Sequence, residues 1–215
     1  MKELLEGILK NLNTTFLSEA DFQFTLAWKI SEALKKKGAD KGEVILEYPG
    51  EQNGKRVYYD IFVKDEAEKT HLIELKYRTK KATVERNGKS FTLKKQSAHD
   101  LGRYHFIEDI HRLETQNIAN GNSYCIMLTN DEAYEAGDTG ETNDRYFRFG
   151  NAIPGNVDLD WNVEVEKRKK YCKNLDPKKL KRDYPVEWHD YPLQGKNSNV
   201  KFRYLLLEIP PENKA

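Results

Sequence analysis

Two apolar runs separated by a short charged stretch constrain this chain more than any other feature: residues 57–63 (VYYDIFV) and 71–77 (HLIELKY). Both are rich in β-branched and aromatic residues, and 64–70 (KDEAEKT) between them has the polarity and length of a hairpin loop. Side chains two apart on a strand share a face. Glu74 and Lys76 therefore emerge side by side with Leu72, and His71, Ile73, Leu75 and Tyr77 line the other face. Folding the second strand back beside the first brings Asp60 towards Glu74. Two carboxylates and an ammonium on an apolar sheet are costly unless something compensates them. A divalent cation would do so, which points to metal-dependent phosphodiester chemistry.

The flanking sequence supplies the rest of an α/β domain. Leu4, Leu5, Ile8, Leu9 and Leu12 recur at helical spacing. Ser18, with Asp21 three residues on, reads as the capping box of a second helix running to about Lys36, with Phe22, Leu26, Ile30 and Ala33 as its buried stripe and Gly38 as its stop. Residues 43–48 (EVILEY) read as a strand and Pro49-Gly50 as the opening of a turn that runs through Asn53-Gly54. Asn87-Gly88 centres a small hairpin over 83–92. A long helix is expected from 93 to 114, with Ala98, Leu101, Tyr104, Ile107, Ile110 and Leu113 facing the core, followed by a buried strand at 123–129. Beyond it, 130–156 reads as a polar surface loop with a short strand at 146–149; a strand begins at Trp161; 184–194 is ordered but irregular; and 202–209 is a strand. The order helix, three strands, helix, strand fits a central sheet covered by helices on both faces.

At 215 residues the chain is read as a single domain, 1–215, with its core at about 18–130 and a C-terminal elaboration at about 131–215. A third of it is charged, its apolar runs are too short to span a bilayer, and its first residues lack the build of a secretory signal. The expectation is a cytoplasmic protein with no membrane partner, in which Cys125 and Cys172 are free thiols. Net charge is only +1, yet residues 167–182 hold nine basic residues against one acid. A second basic group comprises Arg78, Lys80, Lys81, Lys89, Lys94 and Lys95. Such local excess can hold a phosphate backbone, or form an ordinary solvated face. The C-terminal aromatics Trp161, Tyr171, Tyr184, Trp188 and Tyr191 read first as packing anchors and second as a base-stacking surface. His99, His105 and His111 repeat every six residues, which scatters them around a helix and excludes a zinc pair. Residues 137–141 (GDTGE) lack the Gly-Lys-Ser/Thr ending of a phosphate loop.

Asp60 followed by Glu74-Leu75-Lys76, on adjacent strands inside this element order, resembles the PD-(D/E)XK nuclease superfamily, the restriction endonuclease-like fold. The match covers about residues 18–129; Tyr59 stands where the motif name has Pro, and the connection from Lys76 to Gln96 is long. The resemblance implies a mixed central sheet flanked by helices, an αβββαβ core with a C-terminal elaboration. It implies a Mg²⁺-dependent nuclease, with Mn²⁺ able to substitute, hydrolysing DNA in preference to RNA as an endonuclease, and compatible with a homodimer. Asp60, Glu74 and the Leu75 carbonyl would hold the metal. Lys76 would act on the phosphate and the attacking water, and its service as base is open. Glu19 and Gln96 match two auxiliary family positions. Glu19 and Gln23 lie one helical turn apart; Glu19 is equally an ordinary first-turn acid, and Gln96 a surface amide. Gln96, Asp100 and Tyr104 would share a helical stripe, with no role fixed for Asp100 and a weak one for Tyr104. Glu47, near the end of the first strand, reads first as a solvent-facing strand residue and second as one that approaches the cluster. The competing reading is an inactive fold in which Asp60 and Glu74 pair with Lys76 or a nearby Arg, leaving a module that binds nucleic acid or protein.

Overall fold

The computed structural model describes residues 1–36, 42–96, 98–137, 142–161, 175–193 and 200–211. Gly38, most of the 137–141 segment, and residues 162–174, which hold the strand expected from Trp161 onward and the 167–174 part of the basic run with Tyr171 and Cys172, lie outside them.

Helix α1 (Lys2–Asn11) buries Leu5 and Leu9, and α2 (Glu19–Lys36) buries Phe22, Leu26, Ile30 and Leu34. The cap of α2 forms in part as expected: the Ser18 hydroxyl accepts from the Asp21 N–H, but the Asp21 carboxylate accepts from the Leu17 N–H, one residue before the one a strict capping box uses. Strands β1 (Glu43–Gln52), β2 (Lys55–Lys64) and β3 (Thr70–Arg78) follow, then a hairpin of β4 (Ala82–Arg86) and β5 (Lys89–Leu93), helix α3 (His99–Thr115) and strand β6 (Ser123–Thr129). Further on are the short strands β7 (Ala152–Ile153), β8 (Asp158–Leu159), β9 (Lys178–Lys179) and β10 (Tyr184–Pro185), then β11 (Trp188–Tyr191) and β12 (Phe202–Ile209).

The central sheet is mixed, in the order β1-β2-β3-β6-β12-β11. β3 and β6 are parallel, joined through α3, and every other neighbouring pair is antiparallel. One face packs Ile73, Leu75, Tyr77, Ile126 and Leu128 against α1 and α2. The other packs Leu72, Cys125 and Met127 against α3 and the C-terminal region. The predicted alternation along β3 therefore holds.

Several expectations are corrected. β1 does not turn at Pro49-Gly50 but runs on to Gln52, with the turn at Asn53-Gly54. Proline is tolerated because β1 is an edge strand and need not donate outward. Helix α3 begins at His99, not near 93: Leu93 closes the β4–β5 hairpin, and Gln96 and Thr79 bond each other in both directions before the helix starts. Ala98 is consequently exposed and Leu101 half-buried, whereas Tyr104, Ile107, Ile110 and Leu113 are buried as expected. The stripe joining Gln96 to Asp100 and Tyr104 does not form. Residues 146–149 are no strand; a 3₁₀ turn, Arg145–Phe147, buries Phe147 and is anchored by Asp144 accepting from Arg103 at 2.5 Å. The described part of the 130–156 segment is thus no surface loop, since Tyr134, Asn143, Phe149 and Ile153 are also buried. Residues 184–194 contain β10 and β11, the latter the second edge of the main sheet. Trp161, Tyr184 and Tyr191 are buried, which supports packing as their role. No helix among the described residues is long and apolar enough to cross a membrane.

Candidate active site at a fork between two strands

β2 and β3 pair from Lys64↔Thr70 to Ile61↔Ile73, and there the ladder stops. The N–H groups of β3 that would have continued it are taken by side chains. Leu75 N–H donates to Asp60 Oδ2 at 2.6 Å, Tyr77 N–H to Glu19 Oε2 at 2.7 Å, and Thr79 N–H to Gln96 Oε1 at 2.7 Å. Three residues singled out from the sequence therefore line one edge of β3, each replacing a lost ladder bond. Such substitution is obligatory where a strand pair opens, because buried backbone donors must be satisfied. Gln96 docks on Thr79, four residues beyond Leu75 and so about 13 Å along the chain at ~3.3 Å per residue. It belongs to the same edge but not to the acidic cluster.

α2 closes the fork. Gln23 Nε2 donates to the Asp60 carbonyl at 2.7 Å and to Glu47 Oε1 at 2.6 Å, so Gln23 and Glu19 do face the sheet together. Glu47 is exposed, as expected, yet sits at φ 50° where the β1–β2 register skips the Glu47–Asp60 position.

Glu74 and Lys76 project to the α3 face and meet two residues that the sequence reading missed. Arg112 donates to Glu74 Oε1 from Nη2 at 2.7 Å and from Nε at 3.0 Å. Asp109 pairs with Lys76 and, through Oδ1, with Arg112 at 2.8 Å. Lys76 Nζ also lies 3.3 Å from the Leu75 carbonyl oxygen. A signal for these residues existed: Asp109 sits among Phe106, Ile107, Ile110 and Leu113, where a carboxylate turned to the core requires a cation. Asp100 instead reaches Asn143 at 3.4 Å, and the Tyr104 hydroxyl donates to the Asp176 carbonyl at 2.9 Å, so neither joins the cluster.

The cluster holds four carboxylates (Glu19, Asp60, Glu74, Asp109) and two cations (Lys76, Arg112), a formal charge of −2 when all are ionised. Burial raises the Asp60 carboxyl to about 6 against the opposing Leu75 N–H and Lys76 charge. Burial, then the Asp109 charge, holds Glu74 well above the ordinary carboxylate range despite Arg112. For Lys76, burial acts to lower the pKa, but Asp109, with Glu19 and Glu74 behind it, outweighs burial and raises it. The Cys125 thiol beneath is pushed up by burial and by the Asp109 and Glu74 charges, so it is no nucleophile.

The donor chemistry suits a hard divalent cation. Asp60 Oδ1, Glu74 Oε2 and Glu19 Oε1 accept no hydrogen bond among the described residues, while the partner oxygen of each is fixed by the protein. No three His, Cys, Asp or Glu side chains among those residues converge on a point suited to a metal. Asp60 and Glu74 remain as two hard carboxylate donors; in general Mg²⁺ takes few carboxylates together with several waters. No family model, curated protein or solved structure matches the chain.

Proposed function

We propose that this chain is a Mg²⁺-dependent phosphodiesterase, an endonuclease hydrolysing DNA on a PD-(D/E)XK-like core, in which Mn²⁺ can replace Mg²⁺. The observation that carries the reading is the Asp60 carboxylate seated on the Leu75 N–H, inside Glu74-Leu75-Lys76, at the open end of a strand pair. Two acids raised by burial in a cluster of net −2 are what a divalent cation stabilises. Asp60, Glu74 and the Leu75 carbonyl would hold it; bound there, it supplies charge neutralisation at the phosphate and a more acidic water. Lys76, kept protonated beside Asp109, is unsuited to act as base and serves as an electrostatic clamp on the phosphate. Glu19, with one oxygen fixed on Tyr77, can orient a water with the other.

Lys80, Lys81, Lys89, Lys94 and Lys95 are exposed around the C-terminal end of β3 and the adjoining hairpin, which supports a polyanionic substrate. The preference for DNA rests on the family likeness. The test is cleavage of plasmid and oligonucleotide DNA with Mg²⁺: activity is expected to vanish with EDTA and in Asp60→Ala and Glu74→Ala. Full cleavage by Glu74→Ala would reject the assignment.

A second reading draws on the Glu74–Arg112 and Lys76–Asp109 pairs. If these are permanent, the cluster is structural and the chain is a nucleic-acid or protein-binding module. Binding that is salt-dependent and indifferent to Mg²⁺, without cleavage, is its signature.

A further inference from the structure

We propose that Arg112 is an exchangeable counter-ion of Glu74, a positioning residue that sets how tightly the site takes a divalent cation; this rests on the cation-site reading above. Arg112 bonds Glu74 Oε1 through two nitrogens, at 2.7 and 3.0 Å, and so already neutralises the most buried acid of the cluster. Glu74 is 2% exposed, and a buried carboxylate with no cation of its own is strongly destabilising. In the absence of metal, Arg112 fills that need.

The same guanidinium has a second home. Its Nη2 lies 2.8 Å from Asp109 Oδ1, one turn back on α3, and its carbon stands 5.8 Å from the Tyr59 ring centroid. An incoming cation can therefore take over the Glu74 charge while Arg112 stays paired to Asp109 and stacked on Tyr59. Asp109 acts with the opposite sign. It adds a negative charge to the cluster and holds both cations, Lys76 and Arg112, on the α3 side. One turn of α3 thus carries one residue that opposes cation binding and one that favours it. Like charges a few ångströms apart at intermediate effective dielectric compete strongly enough to change affinity by about tenfold or more.

The test is calorimetric titration of the full chain with Mn²⁺, comparing Arg112→Gln, Arg112→Lys, Asp109→Asn and Glu74→Ala. Arg112→Gln is expected to tighten Mn²⁺ binding by about tenfold or more, and Asp109→Asn to weaken it by about as much. Arg112→Lys, which keeps the charge, should stay near wild type, and Glu74→Ala should abolish binding. A purely structural role for this turn would weaken binding in both Arg112→Gln and Asp109→Asn, so unchanged or weaker binding in Arg112→Gln overturns the proposal. If Glu74→Ala abolishes binding while Arg112→Gln matches wild type, only the counter-ion role fails. If neither wild type nor Arg112→Gln binds Mn²⁺, the cation site fails and this proposal with it. Should Arg112→Gln be unfolded without metal, circular dichroism gives the answer: recovery of the fold on adding Mn²⁺ supports the exchange, and no recovery contradicts it.

Discussion

Asp60 shows how a single carboxylate can be both an anchor and a liability. Its Oδ2 satisfies the Leu75 N–H, yet burial holds its proton until about pH 6. The folded state therefore binds that proton more tightly than the unfolded chain, whose carboxylate titrates near 3.8. Stability from this group is greatest below pH 4, falls as pH rises to about 6, and is flat above. Asp60→Asn keeps an acceptor for Leu75 and removes the buried charge. It should stabilise the metal-free protein at pH 7 by on the order of 2 kcal/mol while abolishing cleavage. Thermal melts at pH 5 and pH 7.5 check both: wild type should lose stability between them, and Asp60→Asn should lose less. A less stable Asp60→Asn at pH 7.5 would mean that the carboxylate is already well paired. The Asp60, Glu74 and Lys76 grouping was legible because strand alternation and hairpin geometry depend only on local sequence. Asp109 was legible only as a carboxylate among core positions that needs a cation; its meeting with Lys76 and that of Arg112 with Glu74 were not, because nothing in a helical pattern tells which turn of α3 crosses Glu74.

The fork between β2 and β3 is the element that seats Asp60 and Glu19 on β3. Glu19→Ala should leave the Tyr77 N–H without its acceptor and cost about 1–3 kcal/mol, whereas Glu19→Gln should retain most of the stability. Urea denaturation of both variants measures this; equal stability would show that the Tyr77 bond carries no weight. The β4–β5 hairpin offers a second check. Asn87 and Gly88 take φ of 52° and 71°, the conformation expected of a two-residue turn, so Gly88→Ala should cost about 1 kcal/mol or more by the same measurement. That hairpin, the α2 cap and the alternation along β3 were readable because each is decided by a few adjacent residues. The start of α3 was misread for the opposite reason: Thr79, seventeen positions earlier in the chain, claims Gln96 and holds it out of the helix.

At the scale of the molecule, the C-terminal region completes the sheet. β12 pairs with β6 along seven positions and carries Leu205, Leu207 and Ile209 into the α3-side core. Glu114, buried at the end of α3, accepts from the Lys181 N–H at 2.9 Å and the Tyr184 hydroxyl at 2.8 Å, which ties the same region to that helix. A chain truncated after residue 199 should therefore fail to fold, and circular dichroism with a thermal melt would report it; a cooperative transition in the truncated chain would show that β12 is dispensable. This closure was only partly visible beforehand. β12 announced itself as an apolar run, but Trp188–Tyr191 lies between prolines, and only pairing with β12 makes it a strand.

The proposed divalent-cation site at Asp60, seated on the Leu75 N–H, and Glu74 carries the whole functional reading. Anomalous diffraction from crystals soaked in Mn²⁺ tests it most directly. A peak is expected between the Asp60 and Glu74 carboxylates, next to the Leu75 carbonyl, and should be lost in Glu74→Ala. An undisturbed Glu74–Arg112 pair with no peak at saturating Mn²⁺ would contradict it.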